Sequence, residues 1–485
     1  MINAKIICKI IGILLFLEAG LLLLCAAFPL YYGEDDLMGF LYAVGITALA
    51  GTVLYLHGRD AERRTSRKDG YIIVSVSWVV FSLYGMLPFY MSGYIPSFTD
   101  AFFETMSGFT TTGASILNNI ESLPHGLLFW RSMTQWIGGM GIVFFTIAVL
   151  PIFGSGGIQL FAAEATGPTR NKLHPRIGVT AKWLWGLYLG LTLLGIGLYC
   201  AGGMTLFDSV CHSMTTTATG GYSSHQESIA AFHSPYLEYV TTGLMFLSGV
   251  NFSLLFFSLL KGNIKKMLKD TEFRWYVSLV FVFTLFCVVV LTATHHYGSM
   301  EETVRKALFQ VVSIQTTTGF SSDDYMTWPP VLWLLLTFVM YCGACAGSTS
   351  GSIKCIRIAI LYQIARNHFK HILHPNAVLP VRINQTVIPT PVQTTLLAFI
   401  VVYIAAILVG WMLMMLTGTG FMESYGIVVS SLSNIGPALG EYGPAASWAA
   451  LPDAAKWLSA ILMLIGRLEL FSVLLLFSPD FWKRH

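Results

Sequence analysis

Charged side chains are what this chain most lacks. Asp, Glu, Lys and Arg make up 11% of its 485 residues, against 55% hydrophobic ones, whereas soluble domains carry about 25% charge. That shortage excludes an ordinary water-facing globule. A net charge of only +3 gives no field suited to nucleic acid, and no nucleic-acid partner is expected. Catalytic signatures are absent as well. There is no HExxH, no paired carboxylates inside an apolar run and no Ser/His pair at suggestive spacing. The chain is therefore expected not to be an enzyme, an intramembrane enzyme being the remote alternative. No GxGxxG follows a strand, and the segment from Gly154 to Gly157 lacks that spacing, so no nucleotide fold is expected. The 8 cysteines lie mostly in apolar runs and read as small fillers. Cys342 and Cys345 form a CxxC without the second ligand pair that zinc needs.

What is abundant is long apolar sequence. Ten stretches, at approximately 7–30, 37–56, 71–94, 128–151, 180–202, 236–260, 275–297, 329–362, 392–416 and 456–478, are each long enough as helix to cross a ~30 Å hydrocarbon core. The first is too long for a signal peptide and is followed at once by a second, so it reads as a retained helix. Basic residues concentrate at the termini and in alternate connections, such as Arg59 to Lys68 and Lys261 to Arg274. The other connections carry acids, such as Glu34 to Asp36 and Asp323 with Asp324. By the positive-inside rule both termini and every basic loop are expected in the cytoplasm.

Four further apolar stretches are too short to cross. They begin at Asp100, Asp208, Lys306 and Glu423 and, aligned without gaps, place Gly113, Gly221, Gly319 and Gly436 in one column, at intervals of 108, 98 and 117 residues. A small residue stands twelve positions before each glycine (Ala101, Ser209, Ala307, Ser424), and hydroxyl residues crowd just ahead of it. Each unit thus reads as helix, short re-entrant helix, glycine-bearing loop and helix. Such a loop must be buried in protein or face water, because lipid cannot satisfy bare backbone. The expected fold is an all-α integral membrane protein. A two-helix hairpin over 1–70 precedes units over 71–179, 180–273, 274–390 and 391–485 in pseudo-fourfold arrangement.

A dehydrated cation needs several oxygens at once, and a ring of loop carbonyls supplies them where glycine lets the backbone turn. The inward C-terminal end of each short helix adds a favourable dipole. Four matched loops therefore point to a cation pathway. These repeats resemble those of the Trk/Ktr/HKT superfamily of potassium transporters, and the chain is similar over nearly its whole length to the pore-forming subunits of the bacterial Trk branch. The resemblance implies potassium as the transported ion, no cofactor within the chain, and a homodimer in the bacterial inner membrane with one pore per protomer. It also implies a cytosolic ring of nucleotide-binding regulatory subunits, which the basic loops would dock. By position it implies a filter of Thr110, Thr111, Thr112 and Gly113; Ala218, Thr219, Gly220 and Gly221; Thr316, Thr317, Thr318 and Gly319; and Ser433, Asn434, Ile435 and Gly436. Some sodium-selective plant relatives carry Ser at the first filter glycine, so the resemblance implies that Gly113 favours potassium. The fourth loop, with Asn434 and Ile435, departs most from the Thr pattern. A sodium-permeable or sodium- or proton-coupled symporter of the same superfamily is the alternative function.

The eighth stretch carries Gly343, Gly347 and Gly351 among Ala and Ser. These fit either close helix packing or a helix break lining the pathway. The resemblance implies the second, a gating loop that includes Ser348, Thr349 and Ser350 and ends at Lys354, with Arg467 projecting beneath the filter beside it. Glu469 stands two residues from Arg467, on another helix face. Arg131, Arg305, Lys306 and Lys456 are expected to snorkel at the outer boundary. Glu104 could attract cations or bond local backbone.

Overall fold

A computed structural model describes residues 2–61, 66–139, 141, 177–259 and 262–483. The second half of the span expected over 128–151, the segment Gly154 to Gly157, and Arg63, Arg64, Arg170, Lys172, Arg176, Lys261 and Arg484 lie outside the described residues.

Apolar runs this long satisfy their backbone internally as helix, and helix dominates. Among the described residues six helices are long and apolar enough to cross a membrane unbroken: Ala4–Tyr32, Leu37–His57, Lys68–Met91, Lys182–Ala201, Thr271–Ala293 and Thr390–Met415. The first two form the hairpin. Each of the other four leads one repeated unit and is followed by a short helix: Phe98–Phe109, Leu206–Thr217, Met300–Gln315 and Phe421–Ser433. Trailing helices then begin at His125, Pro235, Pro330 and Asp453.

Local sequence sets where the short helices start. Ser97, Thr205 and Ser299 each accept the backbone N–H of an acid three residues on, Asp100, Asp208 and Glu302, the N-terminal half of a capping pattern. In the fourth unit Gly420 takes the cap position, with Glu423 three residues later. The third short helix is longer, 16 residues against 12, 12 and 13. Its extra turn, Met300 to Thr303, lies ahead of the aligned repeat and was not evident from the glycine column.

Two trailing segments bend where the sequence reading had straight spans, and a third is interrupted where the family resemblance implied a break. Pro235–Ser248 and Phe252–Ser258 meet at 104°, and Asp453–Arg467 and Phe471–Phe477 at 111°. The third unit stops at Tyr341, runs as non-helical backbone through 342–354, and resumes as Cys355–Leu373. Only that third break was marked by spaced glycines, Gly343, Gly347 and Gly351; the first has the lone C-cap Gly249. The other two occur where polar side chains or strained backbone replace the helical ladder. At the first, Asn251 caps Ser253 and Leu254; at the second, Glu469 and Leu470 take positive φ.

The four cations expected to snorkel do not. Arg131 is buried, 2.6 Å from Glu104. Arg305 and Lys306 reach Glu238 at 2.6 and 2.9 Å, and Lys456 reaches Asp100 at 2.6 Å. Their helices face the protein interior, where a charge requires a partner rather than a route to water. Arg131 and Glu104 join two helices of the first unit, whereas the other pairs fasten unit to unit: Glu238 of the second trailing helix to the third short helix, and Lys456 of the fourth to the first.

Candidate functional site: four convergent loops above an interrupted helix

Each short helix ends at its filter loop. Thr110, Ala218 and Thr316 are right-handed C-caps, and the next residue of each loop turns left-handed: Thr111 at φ 54°, Thr219 at 52°, Thr317 at 56°. In the fourth unit Ser433 ends the helix and Asn434 turns at φ 55°. The residue after that is not left-handed, and the glycine again is, at φ 84°, 79°, 79° and 101° for Gly113, Gly221, Gly319 and Gly436. Alternating hands bring successive peptide groups onto common faces of the strand. A β-branched residue at positive φ is strained, and strain of this kind persists where surrounding structure enforces it. Here it occurs at the same position in three units, and the fourth has Asn434, a residue that takes this conformation more readily.

The loops close a ring. A side chain at Gly113 would strike the carbonyl oxygen of Gly220; at Gly221, that of Thr318; at Gly319, that of Ile435; at Gly436, that of Thr112. Each glycine thus lies against the residue that precedes the next unit's glycine, and the fourth returns to the first. The required absence of Cβ is steric as well as conformational. On the side away from the interrupted helix all four glycines line a cavity together with Ser115, Ser223, His225 and Trp448.

Side chains hold the strands from behind. Glu104 accepts from Arg131 Nε at 2.6 Å, from Ser115 Oγ at 3.0 Å and from Ile116 N at 3.0 Å. It therefore braces the first loop's outward strand. Arg131 also donates to Ser223 O at 2.7 Å and lies 3.7 Å from the Tyr222 ring centre. Tyr222 donates its hydroxyl to Glu104 O at 2.7 Å, joining the first unit to the second. Tyr325 donates to Ala438 O at 2.6 Å, joining the third to the fourth.

Beneath the ring lies the interruption of the third trailing helix. Thr349 Oγ1 is 3.1 Å from Thr219 Oγ1, and Gly351 N donates to Thr317 Oγ1 at 2.6 Å. Both filter threonines are the left-handed ones. Glycine at 351 lets this segment press against Ser433 O. Its own shape is kept by Gly343 N to Ile353 O at 2.8 Å, Cys355 N to Ala344 O at 3.0 Å, Ser348 Oγ to Cys345 O at 2.6 Å, and the buried Lys354, whose ammonium donates to Ser350 O. Arg467 donates to Thr349 O at 3.0 Å and to Gly138 O at 2.6 Å. Glu469, within the bend, pairs with Arg357.

Every residue expected at the filter lies in the four loops; of the expected gate residues Thr349 and Gly351 touch those loops, Gly343, Gly347, Ser348, Ser350 and Lys354 belong to the same segment, and Arg467 holds it through Thr349. Two neighbours carried no sequence expectation. Asn251 donates to Ala346 O at 2.6 Å and ties the second unit's bend to the interrupted segment. Gln135 donates to Gly220 O at 2.7 Å. The available signal for each was an uncharged polar residue within an apolar stretch.

This arrangement has close relatives. A family model described as TrkH, cation transport protein, matches residues 37–484. The Trk system potassium uptake protein TrkH of Escherichia coli K12 is 38% identical over 99% of both chains, and that organism's Trk system potassium uptake protein TrkG is 32% identical over 99% of both. A crystal structure of the potassium transporter TrkH from Vibrio parahaemolyticus superposes with a TM-score of 0.89, at 35% identity and 99% coverage of each chain.

Proposed function

The chain belongs to the TrkH family of cation transport proteins, and we propose that it takes up potassium across the bacterial inner membrane through one pathway lined by its four loops. Potassium is the cargo, and no cofactor is assigned to the chain. The observation that carries this reading is the closed ring, in which each filter glycine lies against a carbonyl of the next loop. The potassium named for its relatives supports the choice of ion.

Under this reading Thr110–Gly113, Ala218–Gly221, Thr316–Gly319 and Ser433–Gly436 exchange the hydration shell of the ion for protein oxygens. The segment 342–354 blocks the pathway beneath them, with Gly347 at its turn, Gly351 against Ser433 O and Lys354 anchoring its inner end. Arg467 holds that segment through Thr349 and sets a positive charge against cations below the filter. Opening then requires 342–354 to withdraw from Thr219 and Thr317.

Both termini and the basic loops face the cytoplasm in this proposal, two copies associate with one pathway each, and a ring of nucleotide-binding subunits docks on the inner face. Exposed Phe369, Ile372 and Leu373 flank Lys370, and exposed Ile264 and Leu268 alternate with Lys265, Lys266 and Lys269. Such mixed apolar and basic surface suits a protein partner.

Liposomes holding the purified chain test the reading through rubidium and sodium influx. Potassium-competed rubidium influx with little sodium influx, abolished in Gly113→Asp, is the expected result. Comparable sodium influx would move the assignment to the sodium-permeable or coupled symporter. No flux, with or without the cytosolic subunits, would overturn it.

A further inference from the structure

The ring is fourfold in its backbone but not in the side chains that hold it. In the first and third loops, Thr110 Oγ1 donates to Met106 O and Thr316 Oγ1 to Val312 O, both at 2.7 Å. Each hydroxyl is then joined at 2.8 Å to that of the threonine just before the glycine, Thr112 or Thr318. These bridges tie the strand to the end of its own short helix. The second loop has Ala218 and Gly220 at those two positions and so lacks both hydroxyls.

What stands there instead is the carboxamide of Gln135. It donates from Nε2 to Gly220 O at 2.7 Å and accepts the Tyr222 N–H at Oε1, 3.0 Å away. The amide thus grips the backbone on both sides of Gly221. It also occupies the space a side chain at Gly220 would need. Gln135 is fully buried and comes from the neighbouring unit, ten residues after the start of the first trailing helix. The matching places in the other three helices hold Met245, Met340 and Met463, all fully buried. Three residues further on, all four carry a small residue, Gly138, Ser248, Gly343 and Gly466, so the register is the same. The fourth loop, which also lacks the hydroxyl pair, uses an amide too: Asn434 Nδ2 donates to Met463 O at 2.8 Å and Thr112 Oγ1 at 3.0 Å.

We propose that Gln135 is the positioning residue of the second filter loop, replacing the two missing hydroxyls, and that it thereby sets discrimination between potassium and sodium. The inference rests on the potassium-pathway reading above. Its physical basis is that Gly220 O is the atom packed against Gly113. Releasing it loosens the contact between the first and second loops, and a ring that can contract serves the smaller ion as well. Groups that select a ligand by fit must be held within ~0.5 Å.

The test compares potassium-competed rubidium influx with sodium influx in liposomes for three proteins: the wild-type chain, Gln135→Met, and Gln135→Met combined with Ala218→Thr and Gly220→Thr. Gln135→Met is expected to lower the rubidium-to-sodium ratio by roughly tenfold, as for a binding group displaced by a fraction of an ångström. The triple variant, with hydroxyls restored and the space cleared, is expected to regain it. Should Gln135→Met not purify as a monodisperse protein, Gln135→Asn, whose shorter amide fits the space but cannot reach both partners, is read in its place with the same expectation. A folded single variant with an unchanged ratio, or a triple variant that stays unselective, overturns the proposal. Gly113→Asp runs alongside. If it abolishes flux while Gln135 variants keep full selectivity, this inference alone falls; a wild-type chain without potassium-selective flux removes the pathway reading and this inference together.

Discussion

Arg467 and Thr349 are 118 residues apart in sequence, yet the guanidinium of one donates to the backbone oxygen of the other at 3.0 Å. The same guanidinium reaches Gly138 O at 2.6 Å. One side chain from the fourth unit therefore ties the interrupted segment of the third unit to the trailing helix of the first, directly beneath the filter. Replacing it with alanine removes both the tether and the positive charge. Arg467→Ala is expected to raise basal rubidium influx by on the order of tenfold, equivalent to about 1.4 kcal/mol of barrier. Arg467→Lys, which keeps the charge but not the two-pronged donor, is expected to fall between them. Unchanged or reduced influx in Arg467→Ala would refute the tether.

Gly319 has φ +79°, and a side chain there would collide with Ile435 O. Gly319→Ala adds backbone strain and forces the third and fourth loops apart. We expect rubidium influx to drop by about two orders of magnitude, the scale of a ~1 Å misplacement, with the protein still monodisperse. The same change at Gly190, which has open space around it and lies in a regular helix, is expected to leave influx unaltered.

Glu104 and Arg131 are both buried, with side-chain exposures of 0% and 3%. Glu104→Ala strands an arginine in the protein interior and is expected to destabilise the fold by about 3–5 kcal/mol. Exchanging both residues for methionine is expected to cost less than either single alanine change, because no uncompensated charge remains. Chemical denaturation in detergent, followed by tryptophan fluorescence, measures both. Were Glu104 a cation attractor instead, the double exchange would lower influx without the single changes lowering stability.

His225 lies in the connection after the second loop, with Nε2 3.7 Å from Asp208 and Nδ1 3.6 Å from Glu121. The carboxylate of Asp208 beside it is the main cause holding its pKa above the ordinary histidine value. A group whose pKa is raised on folding contributes stability that is complete below the unfolded pKa of ~6.5 and is lost as pH rises through the folded value. The thermal midpoint is therefore expected to decline as pH rises through that window. In Asp208→Asn the decline should shrink, and the imidazole titration, followed by NMR, should move to lower pH. A titration unmoved by Asp208→Asn would exclude the pairing.

Much of this was legible in one dimension. Scarcity of charge and the length of the apolar runs determined a membrane protein, because lipid admits only segments that satisfy their own backbone. The column of Gly113, Gly221, Gly319 and Gly436 determined the repeat and its loops, because left-handed, side-chain-free positions leave a mark in sequence. The glycines from Gly343 to Gly351 marked a weakness in the third trailing helix but left two explanations open.

Contacts between units decided the rest. That the four loops form a closed ring, rather than four separate turns, depends on Gly436 meeting Thr112, more than three hundred residues away. Arg131, Arg305, Lys306 and Lys456 had the sequence neighbourhood of snorkelling side chains, and only packing revealed carboxylates opposite them. The bends near Asn251 and Glu469 arise where partners outside the helix compete for its backbone, which no local pattern records. Gln135 shows the division most clearly. As a residue it is one amide in an apolar run; its place between Gly220 and Tyr222 exists only because the fold brings the first unit's helix behind the second unit's loop, where a missing pair of hydroxyls left room for it.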